Sequence, residues 1–199
     1  MGIELRLIAE MVAAESRILD IGCGDGELLK YLTAHKRVDG RGIELDPAQV
    51  ARAVAHGLSV IQGDADTDLK DFPDRAFDYV ILSQTLPALR RPREVLEHLL
   101  RIGRHAIVSI PNLAYWRLRW RLMTRGRVPM TRVFRDPWYS TPIIHPCSIE
   151  DFLSLCGDLG IRVERSEVLT RDGRQSRFAA SGAWANLFGE LAVFLLARR

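Results

Sequence analysis

Short apolar runs alternate along this chain with segments in which apolar side chains recur every three or four positions. Runs such as Tyr79-Val-Ile-Leu82 and Ala106-Ile-Val-Ser-Ile110 are typical of strands buried on both faces. The spacing of three and four is typical of amphipathic helices. Strands are predicted near residues 17–21, 41–45, 59–62, 77–83, 104–110, 161–168 and 190–197. Helices are predicted near residues 3–14, 25–35, 47–56, 92–102, 113–124 and 148–157.

The order of these elements predicts the fold class. Alternation of strand and helix indicates an α/β domain with a doubly wound, mostly parallel sheet. We expect seven strands with the last one antiparallel, because no clear helix is evident between the last two. Asp46, which precedes Pro47, is predicted to cap the third helix. We expect a single domain over residues 1–199, with a lid or insert at about residues 111–148.

The first predicted strand ends in a glycine-rich turn, Asp20-Ile-Gly-Cys-Gly-Asp-Gly26, which leads into a helix. Glycine has no Cβ and tolerates positive φ, so the backbone can approach a ligand closely, and the helix N-terminus adds free N–H groups. A turn that binds pyrophosphate has the spacing G-x-G-x-x-G and favours negative ligands. Here the spacing is G-x-G-x-G, and carboxylates at Asp20 and Asp25 favour a zwitterionic amino-acid ligand. An ordinary strand-to-helix turn is the alternative when this segment is taken alone.

Polar residues also follow the next three strands, at the sheet edge where ligands bind in such folds. Glu44 ends the second strand, and its carboxylate can accept both hydroxyls of a ribose. Asp64 follows the third and can accept an adenine amino group, while the Ala65 N–H can donate to the ring. Ser83 and Gln84 end the fourth, beside the expected amino-acid portion of the ligand. Each acid alone is more often a turn or capping residue, but the ordered set favours a binding site. The expected binding residues are Asp20, Gly22, Gly24, Glu44, Asp64, Ala65, Ser83 and Gln84.

The 111–148 segment is where we expect an acceptor molecule or a partner to bind. Tyr115, Tyr139 and His145 are the candidate catalytic residues. A histidine beside Pro146 is equally typical of a structural hydrogen bond, and the aromatic side chains of the segment suit a planar acceptor, a cap over a cofactor or a partner protein.

The amino-acid composition limits the classes of protein to which this chain can belong. Apolar residues make up 47% of the 199 residues, yet no window approaches the ~18 uninterrupted apolar residues of a membrane span. The first residues lack the features of a signal peptide. Three widely spaced cysteines have no metal-type pairing, so we expect reduced thiols, no metal site and a cytoplasmic location.

Charge is unevenly distributed although the net charge is only +3. Residues 1–86 carry 9 Lys/Arg against 15 Asp/Glu, whereas residues 87–199 carry 19 against 10. Arginines interleaved with aromatics after Tyr115 can bind single-stranded nucleic acid. On a helix, however, Trp116, Trp120 and Met123 share one face. This pattern favours an amphipathic helix packed against the domain or a partner, and nucleic acid is not the expected ligand.

Motifs throughout the chain resemble the MetW family, methionine-biosynthesis proteins of bacteria with a Rossmann-like class I S-adenosylmethionine-dependent methyltransferase fold. The most specific are Ser83-Gln-Thr-Leu86 and the segment with Trp138-Tyr139, Thr141-Pro142 and His145, which are not general methyltransferase features. The matching stretches are 18–26, 42–44, 60–62, 77–78, 82–86, 106–109, 111–112, 115–117, 138–139, 141–142 and 145.

The resemblance implies a role in methionine biosynthesis. It implies binding of S-adenosylmethionine or S-adenosylhomocysteine, and a role as the partner that homoserine O-acyltransferase needs for activity. The ligand would then report the end-product level to the acyltransferase. An active methyltransferase for a small cytosolic acceptor is the alternative, and a scaffold with a vestigial pocket is a third.

Overall fold

The computed structural model describes residues 2–128, 130, 137–170 and 182–198. The strands are β1 (Arg17–Ile21), β2 (Asp39–Glu44), β3 (Ser59–Gln62), β4 (Phe77–Ser83), β5 (Gly103–Pro111), β6 (Ile161–Leu169) and β7 (Leu191–Arg198). The helices are α1 (Ile3–Met11), α2 (Glu27–Lys36), α3 (Pro47–Ala55), α4 (Pro92–Ile102), α5 (Trp116–Arg125), α6 (Ile149–Asp158) and α7 (Ala183–Phe188). Short 3₁₀ turns lie at Leu69–Asp71 and Leu86–Ala88.

The seven strands form one sheet in the order β3-β2-β1-β4-β5-β7-β6. β1 to β5 pair in parallel, and β7 runs antiparallel to both β5 and β6. This arrangement confirms the predicted α/β fold and its antiparallel last strand. The strand order reverses beside β1, which lies between β2 and β4, so ligands are expected at the carboxyl end of β1.

Helices cover both faces of the sheet, which explains why the central strands are apolar throughout. In β4, Val80 and Leu82 pack into the core on one face and Ile81 into the core on the other. Side chains of α4 and α6 fill the first core, whereas α1 and α2 fill the second. Among the described residues, no helix is long and apolar enough to cross a membrane.

Two helix boundaries and one missed helix differ most from the predicted elements. α1 ends at Met11 rather than at residue 14, because Val12 turns into the extended conformation. α5 starts at Trp116 rather than at residue 113, after a turn in which the Asn112 side chain accepts the Ala114 N–H at 3.0 Å. The prediction that no helix precedes the last strand was wrong, since α7 lies there. Its six residues are too few for a helical period to stand out.

The predicted cap of α3 is confirmed. Asp46 lies at the N-cap, its side chain accepts the Ala48 N–H at 2.9 Å, and Pro47 occupies the first helical turn. The Asp46 N–H in turn donates to the Glu44 carboxylate, which joins the start of α3 to the end of β2.

Candidate functional site

The glycine-rich turn after β1 has a backbone that only glycine adopts readily. Gly22 has φ +70°, and a Cβ on it would lie 2.6 Å from the Thr85 hydroxyl oxygen. Gly24 has φ +57°, and a Cβ on it would meet nothing within 4 Å. A side chain at position 22 would therefore collide with Thr85, which follows β4, whereas one at position 24 would meet open space.

The Glu44 carboxylate joins this turn to the end of β2. It accepts the Gly24 N–H at 2.8 Å through one oxygen and the Asp46 N–H at 3.0 Å through the other. A carboxylate has about four acceptor positions, so Glu44 retains capacity for further donors such as hydroxyl groups. Its binding of a ribose stays a prediction.

Asp20 is a buried carboxylate near the carboxyl end of β1. It is 2% exposed, and its neighbours in the sheet are Gly42 of β2 and Ile81 of β4. Burial, followed by the charge of Glu44, raises the pKa of Asp20 to about 7. Within the described ranges no hydrogen-bond donor contacts this carboxylate. A cation bound between the two acids would offset both the burial and the repulsion.

A cavity of about 520 Å³ opens in front of these strand ends, a size typical of small-molecule sites. Five predicted binding residues line it: Gly22, Glu44, Asp64, Ala65 and Gln84. Other lining residues are Ile21, Ile43, Asp66, Thr85, Leu89 and Ile144. Three predicted residues, Asp20, Gly24 and Ser83, are not among its lining residues. Direct contact of all eight with a ligand stays a prediction.

Asp64 is partly engaged by its own loop. Its side chain accepts the Asp66 N–H at 2.9 Å, and its own N–H donates to Asp68 at 2.8 Å. The Thr67 hydroxyl and the Asp64 N–H hold the pKa of Asp68 below its usual range. The Ala65 N–H donates to no group in the described part of the chain, so it is available to a ligand.

Glu4 is a residue at this end of the sheet that the sequence did not indicate. The hydroxyl of Ser83 donates to the Glu4 carboxylate at 2.9 Å, and the Ser109 hydroxyl and the Gln84 side-chain amide donate to it as well. Ser83 and Gln84 were expected beside the amino-acid portion of the ligand. Their side-chain donors bond to Glu4 of helix α1, while Gln84 also lines the cavity, so their contact with a ligand stays a prediction. Because Glu4 is 79 residues from Ser83 in sequence, no local pattern could have revealed the contact.

The three catalytic candidates do not converge on the cavity. Tyr115 is buried at the start of α5. Tyr139 is 75% exposed and packs edge-on against Trp138. His145 is exposed, and its backbone N–H donates to the Pro87 carbonyl at 2.9 Å. A catalytic role for any of them stays a prediction.

One segment, residues 141–146, which we call the partition strip, has a cavity on each side. Ile144 lines the 520 Å³ cavity. Thr141, Ile143 and Pro146 line a second cavity of about 690 Å³, whose other apolar lining residues are Leu113, Leu118, Leu122, Val128 and Trp138. The N–H groups of Ile144 and His145 both donate to Pro87, which anchors the strip to the 3₁₀ turn after β4.

Comparison with known proteins identifies the family of this chain. Residues 3–196 match the family model described as "Methionine biosynthesis protein MetW". The chain belongs to the MetW family. It is 37% identical, over 79% of its length, to the bifunctional methionine biosynthesis protein MetXA/MetW of Rhodopirellula baltica, and it spans 27% of that protein.

Other relatives of this MetW chain are methyltransferases or share their fold. It is 27% identical to the 2-ketoarginine methyltransferase of Streptomyces arginensis, over 97% of this chain and 50% of that one. The chain therefore spans from about a quarter to half of the length of these curated relatives.

Solved structures identify the same fold at low sequence identity. A methyltransferase of Mesorhizobium loti that depends on S-adenosylmethionine has a TM-score of 0.69 at 17% identity, with 99% of this chain and 98% of that one covered. The cyclase SpnF has a TM-score of 0.68 at 19% identity, with coverage of 98% and 80%. Since one fold carries both a cyclase and methyltransferases, the fold does not assign a reaction to this MetW chain.

Cys23 lies in the glycine-rich turn, where its surroundings do not activate its thiol. Burial, with the charges of Asp20 and Glu44, raises the pKa of Cys23 to about 12, so its thiol is a poor nucleophile. A Cβ on Gly42 would lie 2.6 Å from the Cys23 sulfur, so the cysteine fills space against β2. The residues that the structure describes contain no cluster of three or more His, Cys, Asp or Glu suited to a metal ion.

Proposed function

We propose that this chain is a cytoplasmic partner of homoserine O-acyltransferase that increases the activity of that enzyme. The observation that carries this proposal is the relative in Rhodopirellula baltica, a bifunctional protein in which MetW is joined to MetXA, a homoserine acyltransferase. Joining two proteins in one chain raises their effective concentration for each other, which is useful when the two must stay in contact.

The ligand that we propose is S-adenosylmethionine or S-adenosylhomocysteine. The ammonium group of its amino-acid portion fits beside Asp20, whose buried carboxylate lacks a donor in the described chain. The spare acceptor positions of Glu44 suit the ribose hydroxyls. Asp64 and the Ala65 N–H suit the adenine edge, and Gln84 borders the same cavity.

The partition strip supports a regulatory role for this ligand. Ile144 faces the ligand cavity, and the adjacent Ile143 faces the second cavity. A ligand that contacts Ile144 therefore biases the position of Ile143. A regulator needs such a difference in affinity between two states, because tight binding alone shifts no equilibrium.

The test is the rate of homoserine acylation by the acyltransferase of the same organism, with and without this chain. We expect a large rate increase that varies with the concentration of S-adenosylmethionine. Asp20→Ala and Glu44→Ala should bind the acyltransferase but lose the response to ligand. No rate increase would reject the partner role, whereas full activation that ignores ligand in all three proteins would reject only the sensing role.

An active methyltransferase for a small acceptor is the second candidate. It is favoured by the similarity of nearly the whole chain to 2-ketoarginine methyltransferase. The sulfonium methyl group of S-adenosylmethionine is already activated, so the protein has to align the acceptor and remove a proton only where the acceptor requires it. Turnover of S-adenosylmethionine with a metabolite extract, lost in Glu44→Ala, would favour this function. A vestigial pocket, in contrast, would gain nothing from a buried carboxylate such as Asp20, whose burial is unfavourable for folding.

A further inference from the structure

Helix α5 exposes an apolar stripe. Leu118 is buried and attaches the helix to the domain, whereas Trp116, Trp120 and Met123 lie on the outer side. Trp120 is 57% exposed and Met123 is 72% exposed. The sequence predicted that this stripe packs either against the domain or against a partner. Among the described residues it does not pack against the domain. Exposed apolar patches of this kind mark interaction sites.

Arginines surround the stripe, and we call the whole surface the arginine–aromatic face. Its members are Trp116, Arg117, Arg119, Trp120, Arg121, Met123, Arg125 and Arg127, with Trp138 and Tyr139 beside them. Tryptophan, tyrosine, methionine and arginine are the residues enriched in protein–protein interfaces, and Trp, Tyr and Arg dominate binding energy there.

The positive charge of this face is not neutralised within the described ranges. None of its five arginines forms an ion pair there; Arg117 stacks over the Trp116 ring at 5.2 Å, and Arg121 donates to the Met130 carbonyl at 3.2 Å. Between Glu97 and Glu150 the sequence contains one acidic residue, Asp136, which lies outside the described residues. The face is therefore complementary to an acidic surface.

The second cavity adjoins this face and is suited to an inserted side chain. Leu118, Arg119 and Leu122 of α5 line it, and so does Ile143 of the partition strip. Its volume of about 690 Å³ and mainly apolar surface suit a large apolar side chain of a partner. The two acidic residues of its lining, Glu150 and Asp151, accept hydrogen bonds from the side chains of Asn186 and Ser148. A second copy of this chain is a poor occupant, since a symmetric dimer would bring the arginines of both copies together.

We propose that the arginine–aromatic face is the surface on which homoserine O-acyltransferase docks, through an acidic patch that inserts an apolar side chain into the 690 Å³ cavity. This inference rests on the proposed function and adds the location and chemistry of the contact. It also explains how ligand and partner communicate, because the partition strip separates the two sites.

The experiment measures binding of the acyltransferase and acyltransferase activity with four forms of this chain. The test variants are Trp120→Ala and the double variant Arg125→Glu/Arg127→Glu. The control variant, Val54→Ala/Arg93→Glu, removes an exposed apolar group and reverses an exposed charge elsewhere. All changes affect exposed side chains, and circular dichroism with thermal unfolding checks that each form is folded.

We expect each test variant to weaken binding by about tenfold or more, as removal of interface hot spots does. The control should remain within about twofold of wild type. Raising salt from about 50 to about 300 mM should weaken wild-type binding more than binding of the double arginine variant.

Two results would overturn the proposed surface while the partner role stands. One is acyltransferase binding by both test variants at wild-type affinity. The other is a wild-type dimer that Trp120→Ala converts to a monomer without loss of acyltransferase binding. Failure of the folded wild-type chain to bind or activate the acyltransferase would reject the proposed function itself. If that wild type instead binds short oligonucleotides and the arginine variant does not, the face is a nucleic-acid site.

Discussion

Replacing Asp20 by asparagine should change stability and ligand binding in opposite directions. Asp20 is 2% exposed, and burial with the charge of Glu44 raises its pKa from 3.8 to about 7. Since the pKa in the folded protein lies above that in the unfolded chain, ionisation of Asp20 opposes folding. The stability of the ligand-free wild type should therefore fall as the pH rises from about 4 to about 7.

The size of this effect follows from the difference between the two pKa values. A change from 3.8 to about 7 corresponds to about 4 kcal/mol above pH 7, as an upper limit. The amide that replaces the carboxylate cannot ionise, so the variant avoids this penalty. Asp20→Asn should therefore be more stable than wild type at pH 8, with a melting temperature higher by several degrees, since 1 kcal/mol shifts a domain of this size by roughly 2–4 °C.

Urea unfolding at pH 5, 6, 7 and 8 measures the predicted change in stability. Calorimetric titration with S-adenosylmethionine measures the predicted change in ligand affinity. The stability difference should fall to less than half of its pH 8 value at about pH 5. It should reach zero only below about pH 4, where Asp20 is protonated in both the folded and the unfolded protein. The variant should bind the ligand at least about tenfold more weakly, because it lacks the charged partner of the ammonium group.

Asp25→Asn is the matched control, since it makes the same change on an exposed side chain of the same turn. Its effect on the free energy of unfolding should stay within about 0.5 kcal/mol at every pH. The reasoning is refuted if Asp20→Asn destabilises the protein equally at pH 5 and pH 8, which would make the carboxylate a structural group. Unchanged ligand affinity would refute the assignment of the ammonium site.

Three further substitutions test individual contacts. Glu4→Ala should lower the free energy of unfolding by about 1–3 kcal/mol, because hydroxyl donors such as Ser109 lose their acceptor; a urea titration in which stability is unchanged would contradict the contact. Gly22→Ala should destabilise the protein by about 1–3 kcal/mol, because φ is positive there and the new Cβ would lie 2.6 Å from the Thr85 hydroxyl oxygen. Adding Thr85→Ala should restore part of the lost stability in the same urea titration. Asn112→Ala should reduce stability by about 3 kcal/mol or more, because its side chain forms hydrogen bonds with backbone groups next to α5, α6 and α7. A melting temperature within about 2 °C of wild type would contradict this prediction.

The features that local chemistry controls could be predicted from the sequence. Apolar runs bounded by turn residues identified the strands β1, β4, β5 and β7, because a strand buried on both faces needs apolar side chains at consecutive positions. Asp46 and Pro47 marked the start of α3 for the same local reason. The glycines of the first turn indicated close approach of the backbone, and the strand order then explains why Asp20, Glu44 and Asp64 lie at the same edge of the sheet.

The features that depend on distant neighbours appeared only when the chain was folded. Glu4 and Ser83 are 79 residues apart, and nothing in the sequence around Glu4 distinguishes it from an ordinary surface residue. The pKa of Asp20 depends on how deeply β1 is buried and on the distance to Glu44, which no spacing along the chain specifies. Likewise, Ile143 and Ile144 are adjacent in sequence but border different cavities, because the fold places the end of β4 on one side of the strip and α5 on the other. Short-range patterns thus define the elements, whereas the environment of a side chain is a property of everything that packs around it.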